Sequence, residues 1–282
     1  MDNLSINDIT SLLNSNGLSP LKKFGQNFIA DPNIIRKIAD VMPIDKSSNV
    51  LEIGPGLGSL TGELADRAKK VVCIEIDRGM VSVLNERFAE TENAVILNAD
   101  VLKTDLSEIA HEYFGDESFH ACGNLPYYIT AKTIIKLCES GADSMTVMVQ
   151  KEVAERLAAG PGSRDYGSIT ASVAYYAVPS LKFTVSRNCF YPVPDVESAV
   201  IYADLKKNRL AADRENYVKI VRASFAQKRK TIFNNLCSAF SGTLSKDEIA
   251  SVLESCGIKK ETRAESLTKE DFALLSEHIF NK

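Results

Sequence analysis

Asn49-Val50-Leu51-Glu52-Ile53-Gly54-Pro55-Gly56-Leu57-Gly58 is the stretch on which the fold turns. Its first five residues form a mostly apolar run of strand length. Its last five carry three glycines, which permit a tight turn and let a ligand approach the backbone closely. Leu60 to Ala68 then reads as a helix, so the whole is a strand, a glycine turn and a helix. A dinucleotide fold wants G-x-G-x-x-G; here the third glycine comes one place early and position 59 is Ser.

Outward from this stretch the alternation continues. Upstream, a helix starts at Pro32, with Ile34, Ile35, Ile38 and Ala39 at helical spacing. Downstream, Val71 to Ile76 reads as a strand and Met80 to Phe88 as a helix. Ala94 to Ala99, Phe119 to Cys122 and Met145 to Val149 are further strands, with a helix over Ala131 to Cys138. Strands alternating with helices predict an α/β fold, a parallel sheet covered on both faces with its ligand at the carboxyl ends of the strands. A helix-like run from Ile169 to Ala177 follows. Phe183 to Val185 and Ala199 to Leu205 then form a closing pair of strands around Phe190-Tyr191-Pro192-Val193-Pro194. Beyond a polar linker, Lys206 to Asp213, the chain turns helical: Ile232, Phe233, Leu236, Cys237 and Phe240 make one stripe, and Ser245 with Glu248 a capping box. The expectation is two domains, residues 1–205 with an N-terminal extension over 1–20, and a smaller helical domain over 206–282.

Composition narrows the function. With 282 residues, 45% hydrophobic and 25% charged, the chain reads as soluble and globular. The start lacks the basic region and apolar core of a signal peptide, and no apolar run approaches the roughly 20 residues that span a bilayer. A cytoplasmic protein without membrane contact is expected. The six cysteines stand singly and the three histidines are not grouped with them, so no metal site is expected. A net charge of −4 means that any nucleic-acid surface must be local. Arg214 to Lys230 is the candidate, where Arg214, Lys219, Arg222, Lys228, Arg229 and Lys230 face only Glu215 as an acid. Most such runs are solvated helix faces.

The strand ends carry the chemistry. About 21 residues beyond Gly54, Glu75-Ile76-Asp77 puts a carboxylate where dinucleotide and adenosylmethionine sites both grip ribose hydroxyls. Asp100 follows the next strand, placed either to accept from an adenine amine or to cap a turn. Gln26 and Asn27 could hold a polar ligand or cap the helix at Pro32. Gly123-Asn124-Leu125-Pro126-Tyr127-Tyr128 ends the fourth strand; alone it is either a packed turn or a base pocket. A nicotinamide oxidoreductase has no use for it there. The exocyclic amine of adenine is a poor nucleophile because its lone pair is delocalised into the ring. The Asn124 side-chain oxygen and the Leu125 carbonyl, accepting from its two hydrogens, would favour a pyramidal nitrogen and stabilise the charge that forms on methylation. Tyr127 would stack on the base.

These elements together are recognisable. Phe24-Gly-Gln-Asn-Phe28, Glu52-Ile-Gly-Pro-Gly-Leu-Gly-Ser-Leu-Thr61, Glu75-Ile-Asp77, Ala99-Asp100, Gly123-Asn-Leu-Pro-Tyr-Tyr-Ile-Thr130, Phe190-Tyr-Pro-Val-Pro-Asp-Val-Glu-Ser198 and Phe225-Ala-Gln-Lys-Arg-Lys-Thr231 occur in this order. In them the chain resembles the ribosomal RNA adenine N6-dimethyltransferases, in particular the small-subunit branch, from about Leu21 to nearly the C-terminus. The resemblance implies a Rossmann-like class I methyltransferase sheet with a smaller all-helical C-terminal domain for RNA or subunit recognition. It implies S-adenosylmethionine as cofactor and two adjacent adenosines near the 3′ end of 16S rRNA, in an assembling small subunit, as substrate. Carried over by position, Gln26, Asn27, Ile29, Gly54, Gly56, Glu75, Asp100 and Asn124 belong to the cofactor site. Asn124, Leu125, Tyr127 and Phe190 hold the target base, with Phe190 closing its second face; apart from the resemblance, Phe190 reads as a proline-flanked core aromatic. Arg222, Lys228, Arg229 and Lys230 are the expected RNA contacts, although the family's usual Arg-Arg-Lys is here Lys228-Arg229-Lys230. A monomer is the default. The rival readings are a large-subunit methyltransferase of the macrolide-resistance type and a non-catalytic RNA-binding assembly factor.

Overall fold

The computed structural model of the protein describes residues 4–21, 24–207 and 209–280. The first three residues of the expected N-terminal extension and Asn208 of the expected linker thus lie outside the described residues. Contacts group the chain into two compact units, Met1–Ala154 with Pro179–Lys206, and Glu155–Val178 with Lys207–Lys282.

The first unit is built on β2 (Asn49–Ile53), β3 (Lys70–Glu75), β4 (Ala94–Asn98), β5 (Phe119–Asn124), β6 (Ser144–Gln150), β7 (Ser180–Val185) and β9 (Ser198–Asp204). They form one sheet in the order β4-β3-β2-β5-β6-β9-β7. Five strands run parallel; β9 is antiparallel to β6, and β7 to β9. The order reverses direction between β2 and β5, and at such a switch point the carboxyl ends of adjacent strands leave a crevice. β2 is buried along its whole length, as a central parallel strand must be.

The helices start where the sequence supplies caps. Asp31 caps α2 (Pro32–Val41), Asp77 caps α4 (Arg78–Arg87) and Asp105 caps α5 (Leu106–Phe114), each accepting from a backbone N–H in the first turn. Gln26 and Asn27 therefore do not cap α2. α3 (Ser59–Ala65) has no side-chain cap and begins at Gly58, in the left-handed conformation at φ 81°. That glycine answers the early third glycine of the motif: a Cβ there would lie 2.5 Å from the Phe88 ring and 2.8 Å from Leu84.

A two-stranded ladder, absent from the sequence reading, pairs β1 (Phe28–Ile29) with β8 (Phe190–Tyr191). Alternation sends its partners to two different cores. Ile29 and Phe190 join the cluster of α2 and the sheet, with Ile35, Ile38, Leu64 and Val50. Phe28 joins a second cluster under α1 (Ile6–Ser15), made with Ile9, Leu13, Leu57, Met80 and Val83, and Tyr191 packs against it. α1 thus rests on the glycine turn through Leu57. Ile9 is fully buried, so Ile9→Ala is expected to cost about 2–5 kcal/mol in denaturant unfolding; a loss below about 1 kcal/mol would mean that α1 is not docked.

The second unit is helical: α8 (Ser168–Ala174), α9 (Arg214–Ser224), α10 (Ile232–Ala239), α11 (Lys246–Ser255) and α12 (Lys269–Phe280). The expected Ser245–Glu248 capping box is present on α11. Tyr217, Ile220, Leu236, Leu253, Phe272 and Leu275 are its core. Residues 155–178, which read along the chain as part of the first domain, belong to this unit in space. Tyr217 donates to the Ala171 carbonyl at 2.8 Å, Tyr175 to that of Ala212 at 2.7 Å, and the Tyr175 and Tyr217 rings meet at 5.1 Å.

Candidate active site

At the carboxyl ends of β2, β3 and β5, segments 24–29, 52–57, 74–76, 99–102 and 124–129 line one cavity. It gathers all the sequence-predicted residues of the first unit except Phe190. The glycine turn shapes its floor. Gly54, Gly56 and Gly58 all take positive φ, and a Cβ on Gly56 would stand 3.0 Å from the Phe28 ring. The turn is therefore wedged from behind by Phe28. A Cβ on Gly54 would meet only the Asn124 carbonyl oxygen, at 3.7 Å, so this face of the turn is open to the cavity.

Glu75 ends β3 with its carboxylate fixed. The Gly56 N–H donates to Oε2 at 3.1 Å and the Asp77 N–H to Oε1 at 2.9 Å. Burial pushes the Glu75 carboxyl above the ordinary range, against the pull of those two donors. Asp100 proves to be a turn cap and a cavity residue at once: Oδ1 accepts from the Leu102 N–H at 2.9 Å, and Oδ2 lies 3.9 Å from Lys103 Nζ. A rigid carboxylate at the end of β3, a second at the end of β4 and an open glycine face are the donor and acceptor set that a nucleoside with an adjoining small cationic group requires. The residues present fit such a cofactor.

Gln26 and Asn27 are structural on one side and cavity-lining on the other. Gln26 accepts from the Leu21 N–H at 2.7 Å and donates to Asp77 Oδ2 at 2.7 Å, which occupies both ends of its amide. Asn27 gives its side-chain N–H to the Gly25 carbonyl at 3.1 Å and its own carbonyl to Asn124, whose Nδ2 donates at 2.9 Å. This last bond sets the Asn124 amide: with Nδ2 committed to a backbone acceptor, Oδ1 remains as an acceptor. Among the described residues the Leu125 carbonyl accepts no hydrogen bond, while the Leu125 N–H is held by Met148 at 3.0 Å. Tyr127 lines the cavity with its hydroxyl 3.3 Å from Ser198 Oγ.

Phe190 departs from the expectation that it closes the second face of a base. It is 1% exposed, packed in the sheet core, and does not line the cavity. The β1–β8 ladder turns its side chain to the same face as Ile29, towards α2. Ile29 does reach the cavity lining, although its side chain is buried at 6% exposure. Arg222, Lys228, Arg229 and Lys230 lie in the second unit, on α9 and in the connection to α10, all exposed.

One site feature escaped the sequence reading. Glu52 lies under the glycine turn, 2% exposed, accepting from Thr61 Oγ1 at 2.7 Å and from Cys73 Sγ at 3.5 Å. A carboxyl in a mostly apolar strand was the available signal. Burial pushes its pKa up to about 7. The folded protein then binds the proton more tightly than the unfolded chain, so this contribution to stability is complete below about pH 4.5 and fades as pH rises through about 7. Glu52→Gln is expected to gain on the wild type between pH 5 and pH 8, by on the order of 3 kcal/mol. Melting curves at the two pH values check it, and a difference that does not change with pH contradicts it.

A sheet of this order, with a cavity lined by two carboxylates and a glycine turn at the switch point, defines a Rossmann-like class I methyltransferase. Comparison with known proteins takes this further. The family model described as ribosomal RNA adenine dimethylase matches residues 19–281, and the chain belongs to that family. Ribosomal RNA small subunit methyltransferase A of Listeria monocytogenes serotype 4b is 42% identical over 277 residues, covering 96% of this chain and 94% of the relative. That of Geobacillus thermodenitrificans is 44% identical over 266 residues, covering 92% and 91%. Among solved structures, a dimethyladenosine transferase from Plasmodium falciparum superposes with TM-score 0.72 at 29% identity, over 87% of this chain and 94% of that one. The 23S rRNA methyltransferase ErmE superposes with TM-score 0.66 at 27% identity, over 89% and 98%. S-adenosylmethionine is the cofactor and ribosomal RNA the substrate. Among the described residues no three or more His, Cys, Asp or Glu side chains are grouped so as to hold a metal ion, and no helix is long and apolar enough to cross a membrane.

Proposed function

We propose that the protein transfers methyl groups to N6 of two adjacent adenosines near the 3′ end of small-subunit ribosomal RNA, within a subunit under assembly in the cytoplasm. The names of the relatives above support the choice of subunit. The chemistry rests on one observation, the Asn124 amide held by the Asn27 carbonyl so that Oδ1 is left to accept.

When bound, the cofactor would supply an electrophilic methyl group on a sulfonium. Glu75 would hold the ribose hydroxyls and Asp100 the adenine amine, with the backbone at Gly54, Gly56, Asn27 and Ile29 along the remainder. Gln26 acts from behind, by bracing Asp77 and Leu21. In the target base, Asn124 Oδ1 and the Leu125 carbonyl each take one hydrogen of the N6 amine, which directs the nitrogen lone pair out of conjugation. Pro126 offers no competing N–H. Tyr127 stacks on the base, a contact worth about 1–3 kcal/mol. No side-chain base is required, because a methylated ammonium loses its proton readily to water. After one transfer the amine keeps a single hydrogen, so the second transfer engages one acceptor at a time. Arg222, Lys228, Arg229 and Lys230 contact RNA phosphates, and a lysine at 228 offers a point charge rather than a bidentate fork.

Labelled cofactor, the protein and undermethylated small subunits should yield dimethyladenosine by mass spectrometry of digested RNA. The likeness to ErmE makes naked large-subunit RNA the control substrate. Label there and not in small subunits, or no label at all, refutes the proposal.

A further inference from the structure

Among the described residues, Tyr128 is the one aromatic in the set of strongly exposed large apolar side chains, at 58%. Its ring is nonetheless held in place. It lies over Gly25, where an added Cβ would stand 3.8 Å from both Cδ1 and Cε1, and Pro126 closes on the same glycine from 3.7 Å. The turn after β5 therefore reaches across to the segment before β1. Tyr128 lines the same cavity as Asp100 and Ile76, the latter itself 40% exposed. Burial, then the charges of Asp100 and Glu75, raise its phenol pKa, so the ring stands in the field of both carboxylates. Single exposed apolar side chains are ordinary, but these two line one cavity, where a bound ligand can cover them. Nothing in the methyl-transfer scheme above uses this ring, since Tyr127 is the residue assigned to the target base.

We infer that Tyr128 is a positioning residue for the cofactor, its ring closing over the adenosine half of S-adenosylmethionine between the end of β5 and the Gly25 turn. The inference rests on the reading of Glu75 and Asp100 as the ribose and adenine contacts. An aromatic face over the nucleoside contributes equally to the demethylated product, S-adenosylhomocysteine, because the two share that half.

Calorimetric titration of the full chain with S-adenosylmethionine and S-adenosylhomocysteine tests this. Tyr128→Ala is expected to weaken both ligands by about tenfold or more, the scale of one lost stacking contact. Tyr128→Phe keeps the ring and should restore affinity to within about threefold, while Tyr128→Leu, apolar but not flat, falls between and carries the comparison if the alanine variant folds poorly. A wild-type protein that binds neither ligand overturns the reading of the cavity and the inference with it. A wild type that binds, with Tyr128→Ala or Tyr128→Leu indistinguishable from it, overturns the inference alone. So does a variant with unchanged cofactor affinity and a raised KM for RNA, which would assign the ring to the substrate.

Discussion

Asn124→Ala is expected to lower kcat for methyl transfer by about 10²–10³-fold, the effect of removing one preorganised group that acts on charge developing in the transition state. Single-turnover transfer to undermethylated small subunits measures it, with calorimetry reporting cofactor affinity in parallel. Asn124 Nδ2 also donates to the Asn27 carbonyl at 2.9 Å, so its loss loosens one wall of the cofactor site as well. Affinity should fall by a few-fold, well short of the loss in kcat, as expected when an interaction made chiefly in the transition state is removed. Asn124→Asp separates the two functions. A carboxylate keeps acceptor oxygens for the amine but cannot donate to Asn27, so it should lose cofactor affinity like alanine while retaining more of kcat. Equal losses in affinity and kcat for the alanine variant would refute the division of roles.

Gly123→Ala is expected to be the most destabilising single methyl addition near the site. Gly123 pairs with Ile53 across β5 and β2, and a Cβ there would lie 2.3 Å from the Ile53 carbonyl oxygen, 3.2 Å from its carbonyl carbon and 3.3 Å from its Cβ. Backbone cannot swing aside as a side chain can, so the strands must part where they hold Gly54 and Asn124. Ordinary overpacking costs about 1–3 kcal/mol, and this contact belongs at or above the upper end. A fall in Tm on the order of 10 °C should result. Gly242→Ala is the control, because nothing lies within 4 Å of a Cβ at that position. Equal melting temperatures for the two variants would mean that β2 and β5 do not meet as described.

Much of this architecture was legible locally. Apolar runs of strand length, helical spacing and the glycines after Ile53 located the core strands, their order along the chain and the cavity-bearing ends. Each depends on residues close in sequence: an aspartate one place before a helix, or a carboxylate at a strand terminus, acts on its own neighbourhood. That is why Glu75, Asp100, Asn124 and the Ser245 capping box could be placed from the sequence, and why the order of motifs sufficed to suggest the family.

What the sequence left undecided depends on partners far away along the chain. Phe190 is an aromatic among prolines in either reading; only its pairing with Ile29, across some 160 residues of chain, sends it into the core instead of the cavity. The helix-like run from Ile169 to Ala177 fits either domain, and it is Tyr217, reaching Ala171, that draws it to the second unit. Glu52, Thr61 and Cys73 become a buried cluster only when a strand, its following helix and the next strand close on one another. Periodicity and turn chemistry are local energies and are written in the sequence. Which face a side chain presents, and so whether Phe190 or Tyr128 borders the cavity of the Asn49–Gly58 stretch, is a packing energy that exists only once the distant elements have met.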